Sequence, residues 1–115
     1  SQAWMCVFDA SAFAGVLQAA PDSIGNSWGG CNPSCTRTQS LATSVDGTWA
    51  YDVFGHAQGS SSADAAQTVT THGSSGHVWA GMSHKDCGVA GSCDMTWTVG
   101  GNNCATGVMA LLAPG

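Results

Sequence analysis

Charge is the first thing this chain has little of. Only 8% of its 115 residues are charged, against roughly 25% in ordinary soluble domains. Its two basic residues are Arg37 and Lys85, and its seven acidic residues are all aspartate, with no glutamate. A net charge of −5 argues against nucleic acid as a partner, because neutralising phosphates takes several lysines or arginines. The same scarcity argues against a polybasic membrane patch. No apolar run approaches the ~20 residues of a spanning helix, so membrane insertion is not expected. A signal peptide is also missing, and the chain starts at Ser1 rather than Met, which reads as a processed mature chain or a fragment of a longer one.

What is there is glycine, alanine, serine, threonine and six cysteines. The length suits a single domain, 1–115, with one core. The cysteine count points to an oxidising compartment, hence an extracellular or cell-surface location. A free monomer with so few charges is poorly soluble, a limit that an assembly or attached glycans would lift.

Strand signals recur along the chain with turn signals between them. Residues 3–8 form an unbroken apolar run of high β-propensity. Residues 9–20 read as a loop with at most one helical turn, limited by Gly15 and Pro21. Residues 21–36, rich in Gly, Asn and Pro, read as a loop pinned by Cys31 and Cys35. A polar strand is expected over 37–45, and Asp46-Gly47 signals a hairpin. In the strand that follows, Trp49, Tyr51 and Val53 share one face, and Thr48, Ala50 and Asp52 the other. Residues 57–66 read as a surface loop, 67–72 as a short strand and 73–76 as a turn. The strongest stretch, 77–112, reads as a three-strand meander, with Met95, Trp97 and Val99 on one face of its middle strand. No long helix is expected. The fold class is all-β, a two-sheet antiparallel β-sandwich.

Several segments share a recurring order. Trp4–Phe8 leads into Phe13-Ala14-Gly15-Val16, and Asp46-Gly47 into Thr48–Val53. Gln67-Thr68-Val69, Ser83-His84-Lys85, Met95-Thr96-Trp97-Thr98 and Val108–Pro114 follow. In this the chain resembles β-sandwich domains of the jelly-roll, concanavalin-like kind found in large bacterial secreted and surface proteins. The resemblance implies a jelly-roll-like sandwich with a structural or adhesive role and no catalytic residue. The six cysteines are not part of the family pattern. Family members also carry strands ahead of the one matched at Trp4, which implies a missing strand that a neighbour can supply.

Six cysteines allow fifteen pairings. Cys87 and Cys93 bracket a glycine-containing loop, and Cys31 and Cys35 bracket Asn-Pro-Ser. Cys6 and Cys104 remain, and would close the sheet if their strands are neighbours. Four thiolates from Cys31, Cys35, Cys87 and Cys93 holding zinc is the rival arrangement, disfavoured by spacing and compartment.

Other chemistry is sparse. His72 and His77 flank one turn and with Asp64 or Asp86 can hold a metal, but exposed strand ends are the plainer reading for histidines there. His77 and His84 are expected on opposite faces of one strand. Asp86 and Asp94 with Asn102 and Asn103 do not have EF-hand spacing. Gly-x-Ser-x-Gly is absent, and without glutamate a glycosidase carboxylate pair is arbitrary. No enzyme, metal or cofactor is therefore expected. Trp28, beside Cys31, either covers a disulfide or stacks on sugar. The serines and threonines of 36–48, 60–62 and 68–75 are candidate O-glycosylation sites.

The resulting expectation is a structural subunit of a filament, pilus-like fibre or surface assembly, with the chain itself as partner. Its assembly strand is Trp4, Met5, Cys6, Val7 and Phe8, and its acceptor edge lies near 108–112. The alternative is a carbohydrate-binding or adhesin-like module using Trp28 and rim loops 57–66 and 73–76.

Overall fold

The computed structural model describes residues 14–15, 21, 23–31, 34–57, 59–75, 78–100 and 103–115; of these, 27, 28, 31, 34, 75, 103, 104 and 106 are described by backbone alone. The expected assembly strand Trp4–Phe8, with Cys6, lies outside the described residues, as does His77. Eight strands run in order: β1 Ser23–Cys31, β2 Ser34–Thr43, β3 Trp49–His56, β4 Ser61–Ala63, β5 Thr68–Ser75, β6 Val78–Asp86, β7 Gly91–Gly100 and β8 Asn103–Leu112. There is no helix among the described residues. One sheet has the order β1-β8-β3-β6-β5 and the other β2-β7-β4, with all pairings antiparallel. The order 1-8-3-6 facing 2-7-4 is that of a double-sheet jelly roll. The fifth strand departs from it, pairing with β6 instead of extending β4.

The expected meander over 77–112 is not one. β6 and β7 lie in different sheets, and β3 stands between β6 and β8. Nor is 108–112 an open edge, because β8 is paired with β1 on one side and β3 on the other. Asp46-Gly47 does mark a turn, with Gly47 at φ 72°, a conformation that favours glycine. That turn joins strands of opposite sheets and so is a corner, not a hairpin. A second corner, between β6 and β7, lies beside it. Gly47 N donates to Gly88 O at 2.8 Å, Cys87 N to Thr48 O at 2.9 Å and Ala90 N to Asp46 Oδ1 at 2.8 Å. The Cys87–Cys93 disulfide, Cα–Cα 5.4 Å, closes the second corner as the spacing suggested. Replacing both cysteines by serine is expected to lower unfolding free energy by about 2 kcal/mol, the loop-entropy value for so short a closure, measurable by guanidinium denaturation.

The expected loop at 21–36 instead holds all of β1 and the start of β2. Two of its glycines are packing positions. A Cβ on Gly25 would stand 2.9 Å from Leu41 Cδ2, and one on Gly29 would meet the Arg37 guanidinium. Arg37 Nη2 also donates to Gly30 O at 2.7 Å, binding β2 back to β1. Likewise the expected loop at 57–66 contains β4, and the expected turn at 73–76 is mostly the end of β5.

Between the sheets the core falls into two clusters. Phe54, Trp97, Val99 and Ala105 form one; Ala50, Cys93, Met95, Met109 and Leu111 form the other. The expected buried face of β7, Met95, Trp97 and Val99, is fully buried. On β3 the alternation is present but its inner face is the reverse of the one its apolar residues suggest. Ala50, Asp52, Phe54 and His56 point inward, while Trp49 and Val53 are exposed. Trp97 lies flat on Phe54, ring centroids 5.2 Å apart and planes within 4°. The six-membered end of the same ring leaves no room at Gly81, the cross-strand partner of Phe54, where a Cβ would fall 2.5 Å from Trp97 Cη2. Gly81→Ala is expected to cost about 1–3 kcal/mol by overpacking, read as a lower denaturation midpoint at unchanged m-value.

Candidate functional site

Three arrangements stand out from the ordinary packing. The first is a buried polar network where the two core clusters meet. Asp52, on β3 between Ala50 and Phe54, is fully buried. Its Oδ1 accepts from Ser83 N at 3.1 Å and Ser83 Oγ at 2.5 Å, and its Oδ2 accepts from Trp97 Nε1 at 2.8 Å. Gln67 joins the network, donating to Ser83 Oγ at 2.8 Å and accepting from Thr96 N at 2.5 Å. The network therefore ties β3 and β6 of one sheet to β7 of the other. Burial pushes the Asp52 carboxyl above the usual carboxylate range, and the Ser83 and Trp97 hydrogen bonds pull it back only in part. Through these bonds Asp52 holds the two sheets in register.

The second arrangement lies at one end of the sandwich. His56 closes β3, Ser61 opens β4 and His72 sits in β5. Ser61 Oγ is 2.8 Å from His56 Nε2 and 2.9 Å from His72 Nε2. His56 is stacked on Trp79 at 6.0 Å, and His72 is tilted against Trp79 at 5.5 Å and Trp97 at 5.8 Å. Pairing His56 with His72 was not visible in the sequence, which offered His72 with His77.

The third is the outer face of the five-stranded sheet. Cross-strand register sets Asn26, Val108, Val53, Met82 and Thr71 in one row, and Ile24, Ala110, Tyr51, His84 and Thr68 in the next. Leu112, Trp49 and Asp86 begin a third. Within these rows Ile24 is 70% exposed, Val108 56%, Val53 44% and Trp49 37%. Tyr51 Oη donates to Met82 Sδ at 3.4 Å, and Trp49 and His84 lie 5.4 Å apart. Among the described residues of these rows only Asp86 carries a carboxylate, at one end. The outer face of the other sheet is the opposite in character. It shows Thr36 against Thr98, Thr38 against Thr96, Ser40 against Asp94 and Ala42 against Ser92, with Thr38 and Thr96 hydroxyls 2.9 Å apart.

The remaining sequence candidates scatter. Asp86 and Asp94 lie on the outer faces of different sheets and are not brought together. Asp86 Oδ1 instead accepts from Gly88 N at 2.8 Å, and Asp94 Oδ1 from Ser92 Oγ at 3.2 Å. Trp28 is not in a loop: its backbone is in β1, opposite Thr106. Cys35 is disulfide-bonded, which removes it from a four-thiolate zinc site, as their mutual bridge removes Cys87 and Cys93. The backbones of Cys31 and Cys104 lie on the paired strands β1 and β8, with Cys104 opposite Gly30. No described helix is long and apolar enough to cross a membrane.

The fold and these sites define the chain as a disulfide-stapled, double-sheet β-sandwich. No family model, curated protein or solved structure matches it.

Proposed function

We propose that the chain is an extracellular structural module that associates with further copies of itself through the outer face of its five-stranded sheet. The observation that carries this reading is the contrast between the two outer faces. Both belong to one chain with one composition. One is lined by threonine and serine hydroxyls, the other by exposed isoleucine, valine and tryptophan in cross-strand rows. A contiguous apolar sheet face marks a contact surface. Two such faces pack about 10 Å apart by the same interdigitation that builds a sandwich core.

The occupant favoured is a second copy. The rows carry almost no charge, so the face has nothing to recognise a charged partner, and a two-fold axis brings one such face against its own copy. The low overall charge, which makes a lone monomer poorly soluble, supports the same reading. Sedimentation velocity over a concentration series, with negative-stain electron microscopy of the native material, is expected to show dimers or larger assemblies. A chain that stays monomeric at every concentration would end this proposal.

A further inference from the structure

Strands β3, β4 and β5 each deliver one side chain to the same point: His56, Ser61 and His72. We infer that this cluster is a binding site for a divalent transition-metal ion, Zn²⁺ foremost, held by the Nε2 atoms of His56 and His72 with Ser61 Oγ beside them and solvent completing the shell. Two imidazole nitrogens aimed at one hydroxyl are the starting observation. A serine hydroxyl has one proton to give and lone pairs to receive. It can donate to one ring only, so the other ring must donate to it, and the two histidines are held in different Nε2 states. A metal ion beside Ser61 Oγ would take the lone pair of both nitrogens, each ring then carrying its proton on Nδ1.

The geometry suits it. Both nitrogens lie within 3 Å of one oxygen, hence within about 6 Å of each other, and small rotamer shifts bring them onto an ion with bonds of ~2.0–2.1 Å. His72 is exposed, with its ring against Trp79 and Trp97, whereas His56 is 4% exposed and held against Trp79 and Phe54. The aromatic shell of Trp79, Phe54 and Trp97 fixes ring orientation and lowers the local dielectric constant, as outer shells of metal sites do. Imidazole ligands select borderline metals rather than calcium or magnesium. No third His, Cys, Asp or Glu joins the pair among the described residues, so the ion is exchangeable and leaves positions open to an added ligand.

The test is calorimetric titration of Zn²⁺ alone into the full, disulfide-intact chain near neutral pH, with His72→Ala as the deciding variant, since an exposed side chain can be removed without unfolding the domain. The expected result is saturable binding of a single ion per chain, weakened at least about tenfold by His72→Ala and by His56→Gln. Near-UV circular dichroism matching wild type certifies each variant as folded. If His56→Gln does not fold, His72→Ala decides alone. Absence of saturable Zn²⁺ binding, or wild-type affinity in folded His72→Ala, would overturn the assignment.

Discussion

Asp52→Ala is expected to lower the unfolding free energy by about 2–5 kcal/mol, which for a domain of this size is a fall of about 10–25 °C in Tm. The loss has two sources. Ser83 N–H and Trp97 Nε1–H each lose their acceptor in a region without solvent, at about 1–3 kcal/mol apiece. Trp97 also loses the tether that holds its ring against Phe54 and Gly81. A domain with roughly 5–15 kcal/mol in total comes close to unfolding.

The same residue imposes a pH dependence of definite sign. Its folded-state pKa is raised by burial. Its contribution is therefore fully present below the ordinary carboxylate value, where both states are protonated. As pH rises from that value to the raised folded one, the unfolded chain ionises freely while the folded one resists, and stability is lost. Above the folded value the contribution is flat. Chemical denaturation of wild type and Asp52→Asn across acidic to neutral pH isolates this effect. The stability advantage of wild type over Asp52→Asn is expected to shrink with rising pH across that window. A difference that grows would show the hydrogen bonds outweighing burial.

Much of the architecture was legible in local pattern. Met95, Trp97 and Val99 alternate with Thr96 and Thr98, whose hydroxyls suit an outer face, so the inward side of β7 was unambiguous. The same rule misled on β3 for a physical reason. Period two separates the faces but says which is inside only when one is polar. Here Trp49, Tyr51 and Val53 are apolar because the outer face is apolar, and the inner face holds an aspartate that only the distant Ser83 and Trp97 make tolerable. In β1, Gly25 and Gly29 imitate loop composition, yet they are small because Leu41 and Arg37 fill the space above them. Asp46-Gly47 was recognisable as a turn, but whether a turn closes a hairpin or crosses to the other sheet depends on pairing partners far along the chain. The His56–Ser61–His72 cluster has no local signal, since it exists only once β3 and β5 have both paired with β6. A single acidic residue between Ala50 and Phe54 on one strand face was the available hint of a buried network.

The outer face gives the second large effect. Val108 lies within the first row, between Asn26 on β1 and Val53 on β3, and is more than half exposed. In the monomer Val108→Asp is expected to change stability by no more than about 0.5 kcal/mol, as for exposed positions generally. In a self-associated pair the new carboxylate would be buried in an apolar contact with no cation opposite. An uncompensated charge there costs about 3–5 kcal/mol, and each 1.4 kcal/mol is about tenfold in affinity. Association is therefore expected to weaken at least about a hundredfold. Thr98→Asp, on the hydroxyl-lined face of the other sheet, adds the same charge where no contact is proposed and serves as the control.

The decisive measurement is sedimentation velocity of wild type, Val108→Asp and Thr98→Asp over one concentration series, with circular dichroism establishing that all three are folded. Self-association through the five-stranded sheet predicts that wild type and Thr98→Asp assemble alike while Val108→Asp remains monomeric. Assembly of Val108→Asp at wild-type concentrations, or a wild type that never leaves the monomer, would contradict it.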